Sequence, residues 1–384
     1  MFRHSSILCE PIKERQEQII EAIKENNLLA LEKLICQDKV SPNFYINDTT
    51  PICTAAAEGN EAVLAILLRG HCILDTPDVR DDVWQRKPIH IAASRGHGAF
   101  LKLLLEHFKD VNVKDGDGRT ALHWAAIFGY DDVTEILLKA GANVNGAQRD
   151  GFTPLYAATC FGHIEVCRAL LKYGGDAMLC DEEGWNIIHT AADYGHLQIL
   201  KLMSLSGPCL SCRTVDGENA LHIATSGGHL HIVKHLVQND IPLNTQTKEG
   251  FTALHLSVKF NRPSVCKFLL QAGANMYILN NEGQSICYLI ALKMDPTFIK
   301  LLVDAGYSFG RENWILRNSF PATCTHNKSE GIKNYMRNIA QSPLTLFHLC
   351  QFKTARLLGW NFETLADSLP LPTYLKQVIK QTGP

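Results

Sequence analysis

Apolar and small residues along this chain follow one pattern that returns every 33 residues. Each period opens on a polar residue, runs through a short stretch that is mostly rich in alanine and broken by glycine, and resumes as a second apolar stretch. The openings are Thr50, Lys87, Thr120, Thr153, Asn186, Asn219, Thr252 and Ser285; every step is 33 except the first, which is 37. In the second stretch the apolar residues fall at helical spacing: Val133, Ile136, Leu137 and Leu138 in one period, Ile164, Val166, Leu170 and Leu171 in the next. The pattern therefore predicts a pair of helices per period. A fixed period of this size predicts a solenoid, in which each unit packs only on its neighbours.

The residues at the joints have physical reasons to be there. Thr120 is expected to cap the first helix by accepting a hydrogen bond from a free backbone N–H. Pro154 suits the first helical position, where its missing N–H costs nothing. Alanine pairs at 92–93, 125–126 and 191–192 keep the first helices thin, so that neighbours approach closely. Gly129, Gly162, Gly195 and Gly228 end those helices, and Gly118, Gly151, Gly184, Gly217 and Gly250 sit in the turns between units.

Finer motifs recur in phase with the period. His90, His123, His189, His222 and His255 fill the fourth place of a T-P-L-H-x-A motif. A Gly-His step follows at Gly96-His97, Gly162-His163, Gly195-His196 and Gly228-His229, and units close on Leu-Leu and Gly-Ala-Asn, as at Leu137-Leu138 and Gly141-Ala142-Asn143. This resembles the ankyrin repeat, a β-turn plus two helices, over roughly residues 17–308. The resemblance implies an all-α ankyrin-repeat solenoid of about eight repeats. Residues 17–40 read as a helix pair without the T-P-L-H start, a degenerate N-terminal cap behind a tail at 1–16. Ser285 opens the last unit, which has lost its histidine. Residues 309–341 follow no period and read as a connector with one short helix near 330–340.

Residues 342–384 form a different module, with three helical segments. Leu346, Cys350 and Leu357 share one helical stripe, with Leu349 beside it, and Leu369-Pro370-Leu371-Pro372 imposes an extended elbow. The segment resembles a SOCS box. Thr345, Leu346, Leu349 and Cys350 match its elongin-binding part, and Leu369, Pro370, Leu371, Pro372 and Leu375 match its cullin-binding part. Thr354 and Val378 stand where that family carries an aliphatic and an aromatic residue. The chain as a whole is similar to the ankyrin repeat and SOCS box family. That resemblance implies elongin B, elongin C and a cullin-5 type cullin with its RING subunit as partners.

Composition and charge narrow the picture without redirecting it. A formal net charge of −2, with 20% charged and 46% hydrophobic residues, gives no case for nucleic acid or an acidic membrane surface. No run approaches the ~18 apolar residues of a membrane span, and Met1-Phe2-Arg3-His4-Ser5-Ser6 lacks the apolar centre of a signal peptide. Thirteen cysteines, several replacing small apolar residues as at Cys53, Cys160, Cys167 and Cys266, read as reduced thiols of a cytoplasmic or nuclear protein. Cys209-Leu210-Ser211-Cys212 is a lone C-x-x-C without the second pair that zinc requires. No nucleophile elbow, phosphate loop or metal-binding helix motif occurs, so neither catalysis nor a cofactor is expected.

The unknown protein substrate is expected on the repeat surface. The residues after the turn glycines, Arg119, Phe152, Trp185, Glu218 and Phe251, are candidates, three of the five being aromatic. The long first connection, Asp75 to Trp84, is a second candidate, with four aspartates and a terminal tryptophan. The expected function is that of a non-enzymatic substrate receptor of an elongin–cullin–RING ubiquitin ligase, leading to ubiquitination and proteasomal degradation of the target. The alternative is a scaffold or inhibitor whose C-terminal helices only cap the stack.

Overall fold

The computed structural model describes residues 10–77, 85–206, 210–317, 319–320 and 329–341. The chain divides into two compact units, one up to Glu182 and one from Glu183.

The first unit opens with α1 (Glu10–Lys24) and α2 (Leu28–Glu32), the latter running into a π-helical turn at Lys33–Gln37. Helix α1 begins inside the stretch read from sequence as a tail. Its first turns are Glu, Lys, Arg and Gln, good helix formers that carry no apolar signal. Ile19, Ile23, Leu31 and Ile35 are buried, as a cap that closes one end of a stack requires. Four helix pairs follow: α3 (Pro51–Glu58) with α4 (Glu61–Arg69), α5 (Pro88–Arg95) with α6 (Gly98–His107), α7 (Ala121–Phe128) with α8 (Asp131–Lys139), and α9 (Pro154–Phe161) with α10 (Ile164–Lys172). First helices pack on first helices (α3 on α5, α5 on α7, α7 on α9), and second helices pack on second helices.

The second unit repeats the arrangement. Its pairs are α11 (Ile187–Asp193) with α12 (Leu197–Ser206), α13 (Ala220–Gly227) with α14 (Leu230–Gln238), α15 (Ala253–Lys259) with α16 (Pro263–Gln271), and α17 (Ile286–Lys293) with α18 (Pro296–Asp304). Beyond α18 lie a 3₁₀ turn (Phe309–Arg311), a short α19 (Asn313–Leu316) and α20 (Ser329–Gln341). These pieces close the stack. Tyr307, Phe309, Ile315 and Met336 are buried, the Trp314 ring meets Tyr288 of α17 edge-on at 5.7 Å, and α20 packs over the 3₁₀ turn and α19. A buried Glu312 ties the turn together by accepting from both Tyr307 Oη and Trp314 Nε1. The described parts of the stretch read as a connector thus pack against the end of the stack. Among the described residues the single extended pairing is an isolated bridge between Ile46 and Thr49.

All eight openings read from the sequence are the N-caps of first helices. The caps differ in how they work. Thr50 and Thr153 accept from the backbone N–H three residues on. Thr120 forms a capping box with His123: its hydroxyl takes the His123 backbone N–H, and His123 Nδ1 accepts from the Thr120 N–H at 3.1 Å, with the hydroxyl also 3.0 Å from that nitrogen.

Candidate protein-binding surface

Two rows of side chains stitch successive repeats together. In the first row, the T-P-L-H histidine takes a backbone N–H on Nδ1 from its own cap residue. This occurs at Lys87, Thr120, Asn186, Asn219 and Thr252, at 3.0–3.2 Å. The proton must then sit on Nε2, which donates forward to a carbonyl of a neighbouring turn. His90 donates to Val113, His123 to Phe152, His189 to Cys212 and His222 to Thr245, at 2.9–3.1 Å. Burial pushes the pKa of His90, His123, His222 and His255 down to about 4, against the raising effect of a nearby backbone carbonyl, so these rings stay neutral. His255 departs from the row: its Nε2 is buried without a well-aligned acceptor.

The second row points backwards. His97 Nε2 donates to the Ala57 carbonyl, His163 to Ile127 and His229 to Asp193, at 2.7–3.0 Å, and Arg262 Nε takes the same role toward Ser226. The ring lies flat against the glycine that ends the preceding first helix. A Cβ on Gly59 would stand 2.3 Å from the His97 ring, and one on Gly129 2.4 Å from His163, so these glycines answer both a left-handed φ and a close approach.

The turn tips are built by local hydrogen bonds. Asp115 accepts from the N–H groups of Asp117 and Arg119 and from Trp124 Nε1, which locks its tip onto α7. In the first unit the Arg149 N–H donates to the Asp117 carbonyl, joining the tips that carry Arg119 and Phe152. In the second unit Val215 and Lys248 make the same links to Glu183 and Asp216, joining the tips of Trp185, Glu218 and Phe251.

The five tip candidates lie half-buried against their own repeats. The Arg119 guanidinium lies 5.3 Å from the Trp124 ring and its Nε donates to Gln148. The Phe152 ring stacks on Tyr156 at 4.2 Å. Trp185 meets the His189 ring edge-on at 6.1 Å, and Phe251 meets His255 likewise, with Lys259 Nζ 4.4 Å from its ring. Burial raises the Glu218 carboxyl above its usual range. Of the first long connection, Asp75 pairs with Lys87 at 2.7 Å, whereas Trp84 lies outside the described residues. So do Thr345, Leu346, Leu349, Cys350, Leu369, Pro370, Leu371, Pro372 and Leu375.

More exposed rings stand elsewhere. Phe128 and Phe161 in the first unit are 48% and 58% exposed, and Tyr194 and Phe260 in the second are 55% and 45% exposed. Each is the eighth residue after its repeat opening, at or just past the end of the first helix. Reading only the residue after the turn glycine misses them. Lining the 33-residue periods up column by column finds them, because no packing need explains an aromatic at that place.

Four of the described cysteines have packing roles, whereas Cys36 and Cys180 are exposed. Cys53, Cys167, Cys266 and Cys287 are buried, and burial pushes the Cys167 and Cys266 thiols up to about 12. Cys160 and Cys212 are only half-buried. Among the described residues no group of three or more His, Cys, Asp or Glu is placed to hold a metal, and no helix is long and apolar enough to cross a membrane.

Comparison with known proteins agrees with the helix pairs and their joints. The family described as ankyrin repeats (3 copies) matches residues 19–115, 71–148, 143–213 and 205–280. The chain belongs to the ankyrin repeat family. The potassium channel AKT2/3 of Arabidopsis thaliana is 34% identical over 85 residues, 22% of this chain and 10% of that protein. The chain thus spans a small part of that relative's length. Among solved structures, the crystal structure of the human ASB11 ankyrin repeat domain matches with a TM-score of 0.49 at 27% identity, covering 52% of this chain and 90% of that one. An ankyrin stack is typically a non-enzymatic scaffold for binding other proteins.

Proposed function

We propose that this chain is the substrate receptor of an elongin B/C–cullin-5 type RING ubiquitin ligase. The repeats hold a target protein, and the C-terminal segment docks the ligase. Partner subunits would perform the transfer chemistry; this chain would contribute proximity between a target lysine and the charged conjugating enzyme. The observation that carries the reading is the succession of two motifs behind an ankyrin stack. They are Thr345-Leu346 with Cys350, and then Leu369-Pro370-Leu371-Pro372 with Leu375. The rival reading gives the C-terminal helices no task beyond covering the last repeat. It is weakened because Phe309, Ile315 and Met336 already cover that end.

The test is co-purification from cells. Truncating a Leu that fills an apolar pocket costs ~2–5 kcal/mol, roughly 30-fold or more in affinity. Leu346→Ala combined with Cys350→Phe is therefore expected to abolish recovery of both elongins. Replacing Leu371 and Pro372 by alanine is expected to release the cullin while the elongins stay bound. Unchanged recovery of elongins B and C from the first variant would remove the proposal.

A further inference from the structure

Phe128 and Phe161 belong to a row with an ordered chemistry. The eighth position after each opening carries Glu58, Arg95, Phe128 and Phe161 on four successive repeats. All four are exposed. Glu58 and Arg95 have no ion-pair partner among the described residues.

Contacts fix the neighbours in the row against one another. The Tyr130 ring lies on Gly96, next to Arg95, where an added Cβ would come within 2.7 Å of it. Tyr130 stacks in turn on Phe128 at 6.4 Å, and Trp124 supports Phe128 from beneath at 6.2 Å and 14°. From Ile127 the link continues: its carbonyl accepts from His163 Nε2, and the His163 ring stacks with Phe161 at 6.3 Å and 21°. Both phenylalanines are therefore held by neighbouring rings before any partner arrives, which lowers the ordering cost of binding. The equivalent row of the second unit is broken, because Gly227 separates Tyr194 from Phe260.

We propose that Glu58, Arg95, Phe128 and Phe161 form a linear docking row for an extended protein segment that presents a basic, an acidic and two apolar side chains in that order. Charge complementarity sets the first two places and the exposed rings the last two. Neighbouring first helices stand about 10 Å apart, and an extended chain covers about that distance in three residues. The matching side chains therefore recur at every third position. This rests on the protein-binding half of the proposed function and not on the ligase half.

Fluorescence polarisation of labelled synthetic peptides on the purified chain tests it. The peptides carry Lys, Glu, Leu and Phe at every third position with serine between, made in both chain directions. One of the two is expected to bind saturably. Phe128→Ala and Phe161→Ala are each expected to weaken it roughly ten-fold or more, with melting temperatures nearly unchanged because both rings are exposed. Arg95→Glu is expected to weaken binding, and a peptide with Lys in place of its Glu to restore it. This charge exchange tests the row without removing a ring. Absence of binding in both directions would overturn the proposal. Binding that survives both phenylalanine changes would do the same, as would preference for a peptide with the four residues at every seventh position, the spacing of a helix. Elongin recovery is read separately, so loss of the ligase reading leaves the peptide result standing.

Discussion

At the scale of single residues, the stack depends on histidines that must stay uncharged. His90, His123 and His222 each accept a backbone N–H on one ring nitrogen and donate to a carbonyl with the other, a pairing that only the neutral ring can make. In the folded chain these rings and His255 take up a proton only near pH 4, against about 6.5 when exposed in the unfolded chain. Between those values the unfolded state binds more protons, so stability falls as pH drops from about 6.5 toward 4. By about pH 5 the loss is on the order of 1 kcal/mol or more per ring. Urea unfolding at neutral pH and at about pH 5 is expected to show a clearly lower midpoint at the acidic value. A flat profile would mean that the rings protonate in place. The five histidines were legible in the sequence because they recur at one place in the period. That the His123 ring closes a capping box with Thr120 was not, because the sequence alone does not report which way a ring nitrogen points.

At the scale of elements, the helix pairs were legible because their period is long and their joints are marked by Thr, Asn, Ser and Gly. The ends of the stack were harder to read. Helix α1 starts at Glu10 in a polar stretch, and the turns from Phe309 onward follow no period. Such elements owe their existence to the apolar face that they cover, which a local pattern does not report. Met336 of α20 is the clearest case, fully buried although its helix is otherwise rich in polar residues. Met336→Ala is expected to destabilise the chain by about 2 kcal/mol or more, read as a lower urea midpoint. Increased amide exchange is expected to concentrate in the last repeat, since a stacked unit contacts only its neighbours. Uniform exchange along the chain would contradict that picture of the end of the stack. The docking row was legible only in part. Its residues hold the same place in four successive periods, but that they stand exposed while the tip aromatics lie half-buried is a matter of packing.

At the scale of the whole molecule, the proposed function assigns recognition and delivery to different stretches of chain. The described repeats carry the exposed rings and charges of the proposed row, and the motifs proposed to dock the ligase all lie after residue 341. Removing residues 342–384 is therefore expected to leave the melting temperature within ~2 °C and peptide binding intact, while elongin recovery is lost. A large fall in melting temperature would mean that the repeats need those residues to fold. The closure of the stack around Ile315 and Met336 has a wider meaning if that result holds. A reader that terminates itself can be grafted: the repeats could be joined at Gln341 to a different effector and still choose the same target. The choice of target and the fate imposed on it could then change independently, each by mutation on its own side of one peptide bond.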